Sequence, residues 1–172
     1  YQGVVHLWSL NASDPESEDW LSDAQALTCG STLHLVQALV KAGWTHAARL
    51  WLTTRGGQSV GSDPSCPQMQ QVPLWGIGQV VTLEHPELRC TCVDLDPVAD
   101  LTDTTDLLAT LMPSHEEPQV AWRQGVRYVT RLLQQPGLVV NGRALVHADS
   151  TYLITGGTGG LGLSTAGWLA EQ

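Results

Sequence analysis

Two spacings of apolar residues alternate along this chain. Gly3-Val-Val-His-Leu-Trp-Ser-Leu10 is nearly continuous in apolar residues, as a strand buried on both faces would be. The polar, acidic stretch Asn11–Asp19 reads as a loop. Apolar positions then recur every three or four residues from Leu21 to Ala42, predicting a helix that Gly43 closes. Arg49-Leu-Trp-Leu-Thr53 is a second strand, and residues 54–72, rich in Gly, Ser, Pro and Gln, form a long surface loop. Pro73 suits the first turn of a helix running to Glu84, with Pro86 just beyond its end. Cys90–Leu95 is a third strand and Leu101–Met112 a third helix. Strands and helices in alternation imply parallel βαβ units, and so an α/β fold.

After Pro113 the pattern changes. Gln119–Arg123, the pair Gln124-Gly125, and Val126–Leu132 read as a hairpin or two successive strands. Leu138–Val146 repeats the design around Asn141-Gly142, the strongest short hairpin signal. Gln134–Gly137 and His147–Ser150 are hinges into a last segment. There, Tyr152–Thr155 reads as a short buried strand, and Leu161, Thr165, Trp168 and Leu169 follow a glycine cluster at helical spacing.

Strand, glycine turn and helix are the context of a dinucleotide-binding fingerprint. A pyrophosphate needs backbone N–H groups aimed at it, and a helix N-terminus adds attraction. Glycine is required where the backbone approaches the phosphates and where helix packs on strand. Gly157, Gly159 and Gly162 fit the general G-x-G-x-x-G register. Thr155, Gly156, Gly160 and Gly162 fit the T-G-x-x-x-G-x-G spacing of short-chain dehydrogenases, which also accounts for Thr155 and Gly156 and is preferred. The bland alternative is a flexible glycine-rich loop, yet five glycines in the seven residues 156–162 make a poor helix junction without a ligand. The sequence ends before a second strand of this unit, so it reads as the opening of a nucleotide-binding domain behind a larger region.

That larger region lacks the same equipment. The turn after its first strand, Asn11-Ala-Ser-Asp-Pro-Glu-Ser-Glu, has no glycine and carries charge that repels phosphate. Arg55, after the second strand, is expected to face solvent, because no phosphate cradle lies beside it. Gly76 and Gly78, within a helix, are expected to permit close packing against a strand.

Composition narrows the function classes. A net charge of −9 argues against nucleic-acid and anionic-membrane partners. The acidic clusters Asp14–Asp23 and Asp94–Asp106 are expected to be solvated loops and helix starts, with no metal site. No run approaches the ~18 apolar residues of a membrane span, and no secretory signal opens the chain; a cytoplasmic protein is expected. Cys29, Cys66, Cys90 and Cys92 are then free thiols, and the sequon Asn11-Ala-Ser13 is a chance match. The histidines are scattered, as structural histidines are.

Four blocks, in order, closely resemble the ketoreductase region of modular type I polyketide synthases. They are Gly3–Leu10; Trp75-Gly-Ile-Gly-Gln-Val-Val-Thr-Leu-Glu-His-Pro-Glu87 with Val93-Asp-Leu-Asp-Pro97; Gln119-Val-Ala-Trp-Arg with Arg127-Tyr-Val-Thr-Arg-Leu132; and Thr151–Gly162. The resemblance spans essentially the whole chain, and the Trp75–Pro97 block is its most specific part. It implies a truncated, non-nucleotide-binding Rossmann-like structural subdomain over residues 1–133, with a parallel sheet, flanking helices and added hairpin strands. A linker or hairpin follows over 134–150, then the first βα unit of the NADPH-binding catalytic subdomain over 151–172. The family reduces the β-keto group of a phosphopantetheine-bound β-ketoacyl chain on acyl carrier protein. Thr155, Gly156, Gly157, Thr158, Gly159, Gly160, Leu161 and Gly162 are the cofactor-binding residues this implies. The family's catalytic serine, tyrosine and lysine lie downstream of its glycine motif, and no tyrosine here has a lysine four residues later, so no catalytic residue is assigned. The partners implied are the catalytic subdomain, neighbouring synthase domains and acyl carrier protein. A free-standing reductase is not expected at this length; the alternative is a non-catalytic scaffold or docking module of a synthase with a vestigial glycine motif.

Overall fold

The computed structural model describes residues 3–12, 19–44, 49–61, 68–98, 101–112, 117–134, 146–147 and 149–171. Two compact units divide the chain, Tyr1–Arg131 and Leu132–Gln172. The first holds a five-stranded sheet in the order β1-β2-β3-β4-β5: β1 Gly3–His6, β2 Arg49–Arg55, β3 Thr91–Leu95, β4 Gln119–Arg123 and β5 Val126–Val129. The first four strands are parallel and β5 returns antiparallel to β4. This is the expected α/β architecture.

Helices cover both faces. Residues alternate sides along a strand, so Leu50, Leu52, Cys90 and Cys92 face one layer while Trp51, Val93 and Leu95 face the other. Val36 of α2 (Ser31–Lys41) and Leu74, Trp75 and Val81 of α3 (Pro73–Glu84) close the first core; Leu107 and Leu111 of α4 (Asp103–Leu111) pack on the second.

Local signals fix several boundaries. Pro73 stands at the start of α3, where its missing N–H is no loss. After α2, Gly43 takes φ +67, and the amides of Gly43 and Trp44 donate to the carbonyls of Val40 and Leu39, a Schellman closure. Gln124 and Gly125 both take positive φ, the type I′ turn that matches strand twist, so β4 and β5 form a hairpin.

Other expectations need correction. The first strand stops at His6 instead of Leu10, and Trp8–Asn11 coil into a 3₁₀ turn. Ser9 is the cause: its buried hydroxyl donates to the Thr53 carbonyl, pulling the chain over the end of β2. The first helix is not regular either. α1 (Trp20–Gln25) widens into a π turn at Ala26–Gly30 before α2. Thr28 and Thr32 donate their hydroxyls to the Ala24 and Thr28 carbonyls at 2.6 and 2.8 Å, offering those acceptors a partner besides the backbone ladder.

In the second unit, Tyr152–Thr155 is not a buried strand. Leu153 is 93% exposed, and residues 152–155 take up no strand structure. The Tyr152 hydroxyl instead accepts the His147 amide at 2.7 Å. The helix α5 (Gly160–Ala170) does follow the glycine turn. The Asn141-Gly142 hairpin and Cys66 lie outside the described residues. Among those described, no helix is long and apolar enough to cross a membrane.

The two helix glycines part company. A Cβ on Gly76 would meet nothing within 4 Å, so close packing does not explain it; one on Gly78 would lie 2.1 Å from the Cys92 sulfur. We expect Gly78→Ala to destabilise the chain by about 1–2 kcal/mol in urea denaturation, overpacking outweighing the helix-propensity gain of about 1 kcal/mol. Adding Cys92→Ala should remove the penalty.

Candidate functional site

The sequence-selected residues Thr155 to Gly162 lie together as one turn and helix start. Gly156 takes φ +69, a conformation that only glycine adopts freely, and only the T-G-x-x-x-G-x-G register accounts for it. A Cβ on Gly162 would lie 2.3 Å from the Gly156 carbonyl oxygen and 2.6 Å from the Gly157 Cα. The close approach is therefore between helix and turn, not between helix and strand. Gly157 and Gly159 are crowded by the carbonyls of Ile154 and Gly156, whereas a Cβ on Gly160 would enter open space. Gly159 caps α5 with extended backbone and no side-chain bond. The first intrahelical bond runs from the Leu163 amide to the Gly159 carbonyl at 2.9 Å. By helix geometry the amides of Gly160, Leu161 and Gly162 have no partner within the helix, and no acidic side chain stands in that first turn. Such a terminus attracts anions.

A second place where an α/β fold can take a ligand lies in the first unit. β2 leads to α3 on one face and β3 to α4 on the other, so their carboxyl ends flank a crevice of the kind where open sheets bind ligands. Here it is filled from within. Asp94 of β3 is fully buried, and its carboxylate accepts four hydrogen bonds. They come from the Thr54 hydroxyl at 2.5 Å, the Gly57 amide at 2.8 Å, the Gln58 amide at 3.1 Å and Arg123 Nη2 at 2.6 Å. Thr54 in turn accepts the Trp75 indole N–H at 2.9 Å. Arg123 also donates to the carbonyls of Leu95 at 3.1 Å and Gln58 at 2.6 Å.

Arg55 is likewise engaged. It donates to the Asp96 carbonyl at 2.8 Å and pairs with Asp103 at 2.5 Å, contrary to the solvent-facing role expected of it. The acidic stretch 94–106 is thus only partly solvated: Asp94 is a structural ion, and Asp106 is buried in α4. Sequence reasoning missed this cluster. The signal was an aspartate inside the apolar run Cys-Thr-Cys-Val-Asp-Leu, with an arginine ending the neighbouring strand.

Cys29, Cys90 and Cys92 are free, and the hydrogen bond with Cys92, together with burial, pushes the Cys90 thiol up, so it stays protonated. His6 is buried at the end of β1, where desolvation lowers its pKa and its Nε2 lies 2.8 Å from the Ser31 hydroxyl.

Comparison with known proteins matches residues 3–132 to the family described as "Polyketide synthase extender module SpnB, Rossmann fold domain". The chain belongs to that family. It is part of a modular polyketide synthase ketoreductase. The polyketide synthase GfsA of Streptomyces halstedii is 40% identical over 141 residues, covering 82% of this chain and 2% of its own length. The pikromycin polyketide synthase component PikAIII of Streptomyces venezuelae is 38% identical over 140 residues, covering 80% of this chain and 9% of its own. A solved A1-type ketoreductase superposes with a TM-score of 0.78 at 34% identity, covering 100% of this chain and 35% of that one. A second, from A-type ketoreductases of a modular polyketide synthase, gives 0.74, with the same identity and coverage. The chain therefore spans a small part of each relative's length.

All four partners of Asp94 in this ketoreductase region are donors, and asparagine would offer them one acceptor oxygen instead of two. Asp94→Asn should lower stability by about 3–5 kcal/mol, the range for breaking a buried ion pair from one side, read as a shift of the urea midpoint.

Proposed function

We propose that residues 1–133 are the structural subdomain of a ketoreductase that binds no nucleotide. Residues 134–150 are a connecting linker, and residues 151–172 open the NADPH-binding catalytic subdomain. The observation that carries this reading is the Asp94 carboxylate. It occupies the Gly57 and Gln58 amides, the donors that follow β2 and could otherwise face a phosphate. Arg123 and Arg55 are committed to internal acceptors, so the crevice has little left to attract an anion.

The glycine turn supports the opposite role for the second unit. No internal carboxylate stands in the first turn of α5, and the side of Gly160 that a Cβ would fill is open. These features fit a pyrophosphate. Gly160, Leu161 and Gly162 would hold it through their amides, Gly156 and Gly157 would shape the turn, and Thr155, Thr158 and Gly159 complete the loop. Bound NADPH supplies the hydride that reduces the β-keto group of an acyl chain on the phosphopantetheine arm of acyl carrier protein. What these residues contribute is binding and orientation of the cofactor's phosphates. On this reading the synthase works in the cytoplasm, and its other domains and carrier protein are the partners.

The test uses NADPH titration and the loss of NADPH absorbance during turnover. The 172-residue chain should show neither micromolar affinity nor reduction of a β-ketothioester, since the glycine turn alone offers no ribose or nicotinamide pocket. In the full ketoreductase, Gly162→Val should raise the apparent NADPH constant about tenfold or more, at least about 1.4 kcal/mol, with the melting temperature of the first unit unchanged. Turnover by the isolated chain would overturn the structural assignment. An unchanged constant in a folded Gly162→Val enzyme would instead make this a scaffold module with a vestigial motif.

A further inference from the structure

Cys90 and Cys92 serve neither the Asp94 network nor the glycine turn. Cys90 directly precedes β3 and Cys92 lies within it. Two residues apart on extended backbone, their side chains share one face of the sheet, the face that α3 covers. The two thiols are close enough to hydrogen-bond to each other. The Cys92 sulfur also lies where a Cβ on Gly78 of α3 would fall.

Each thiol reaches an opening. Cys92 lines a cleft of ≈ 320 Å³ together with Gly78 and Gln119, and Cys90 lines one of ≈ 350 Å³ together with Arg49 and Arg89. Thr82 and Pro118 border both, so the openings flank a single dithiol. Among the described residues, no Asp, Glu or His lines either cleft.

That donor set is selective. Structural zinc takes four ligands, and no three His, Cys, Asp or Glu stand together among the described residues. Hard cations require oxygen donors. Two sulfurs alone suit a soft ion that is content with two ligands, and thiolate selects Cu(I). Metal–sulfur bonds of about 2.3 Å set in line separate the sulfurs by roughly 4.6 Å, a modest widening of a pair already in contact. Two thiolates and one Cu(I) carry a net negative charge, and the guanidinium groups of Arg49 and Arg89 on the wall of the Cys90 cleft complement it.

We propose that Cys90 and Cys92 form a two-coordinate site for a soft monovalent metal ion, Cu(I), held between their sulfurs on the α3 side of β3. Two Cu–S bonds form, two S–H bonds break and both protons leave to solvent, with no change of oxidation state. Because the ion competes with protons for the sulfurs, affinity rises with pH.

Cu(I), supplied without oxygen as its acetonitrile complex in competition with a colorimetric Cu(I) chelator, tests this on the 172-residue chain carrying Cys29→Ser and Cys66→Ser. One ion per chain should bind, and more tightly at pH 8 than at pH 6. Cys90→Ala and Cys92→Ala, made singly, should each weaken binding by about a hundredfold or more, with the circular dichroism spectrum unchanged. X-ray absorption at the copper edge, on the chain with both thiols, should show two sulfur neighbours and no nitrogen or oxygen. Binding that survives either alanine substitution overturns the proposal, as does failure to take a first equivalent from the chelator. One ion per two chains would place the copper between copies and overturn it as well. So would a nitrogen or oxygen neighbour at the metal.

Discussion

One buried carboxylate organises the first unit. Asp94 has no exposure to water, so its charge is tolerable only if donors surround it. Those donors come from Thr54 on β2, the turn at Gly57 and Gln58, and Arg123 on β4; Trp75 on α3 reaches it through the Thr54 hydroxyl. Three neighbouring strands and a helix are thus held to one set of positions. Apolar contacts have no direction of their own, whereas this network loses hydrogen bonds on any displacement. Stability need not be its main contribution, because a buried ion pair can be matched by well-packed apolar groups. Fixing the register of β2, β3 and β4 is the effect its geometry supports.

Members of the network fall within two of the blocks that carry the sequence resemblance. Trp75 and Asp94 both lie in the Trp75–Pro97 block, and Arg123 ends Gln-Val-Ala-Trp-Arg. Both stretches belong to the sheet and helix layers of the first unit. They contain the members of an internal hydrogen-bond system and the glycine, Gly78, that lets α3 settle onto Cys92.

What the sequence made legible was local. Pro73, Gly43 and the Gln124-Gly125 pair each act within a few residues, and each stands where its backbone requirement predicts. Contacts distant along the chain were not legible. Asp94 read as solvated because aspartates usually are, and the partner that changes the answer lies 29 residues away. Arg55 was misread for the same reason, its partner Asp103 being 48 residues on. Ser9 ended a strand early through a bond to Thr53, which apolar continuity cannot anticipate. Tyr152–Thr155 failed differently: apolar composition states a need for burial, but a strand forms only where another supplies its ladder. The glycine turn beside it needs no such partner, since Gly162 packs on Gly156 and Gly157 of the same turn.

Among the described residues, two turns that follow apolar segments carry a Gly-Gly pair behind a threonine, and their difference is chemical. After β2 the order is Thr54-Arg-Gly-Gly57; after Ile154 it is Thr155-Gly-Gly-Thr158. In each a glycine takes positive φ, Gly56 at +59 and Gly156 at +69. In the first, a Cβ on Gly57 would lie 3.3 Å from the Asp94 carboxylate, so the missing side chain admits the protein's own anion to the backbone amides. In the second the amides open a helix with no acidic residue in its first turn. Backbone donors of this kind bind whichever carboxylate or phosphate reaches them. A tethered aspartate acts at high effective concentration and here occupies the Gly57 and Gln58 amides of the first turn. Two turns of similar sequence thus separate by the one residue that fills the crevice, and glycine content alone does not say whether a turn's amides are already occupied.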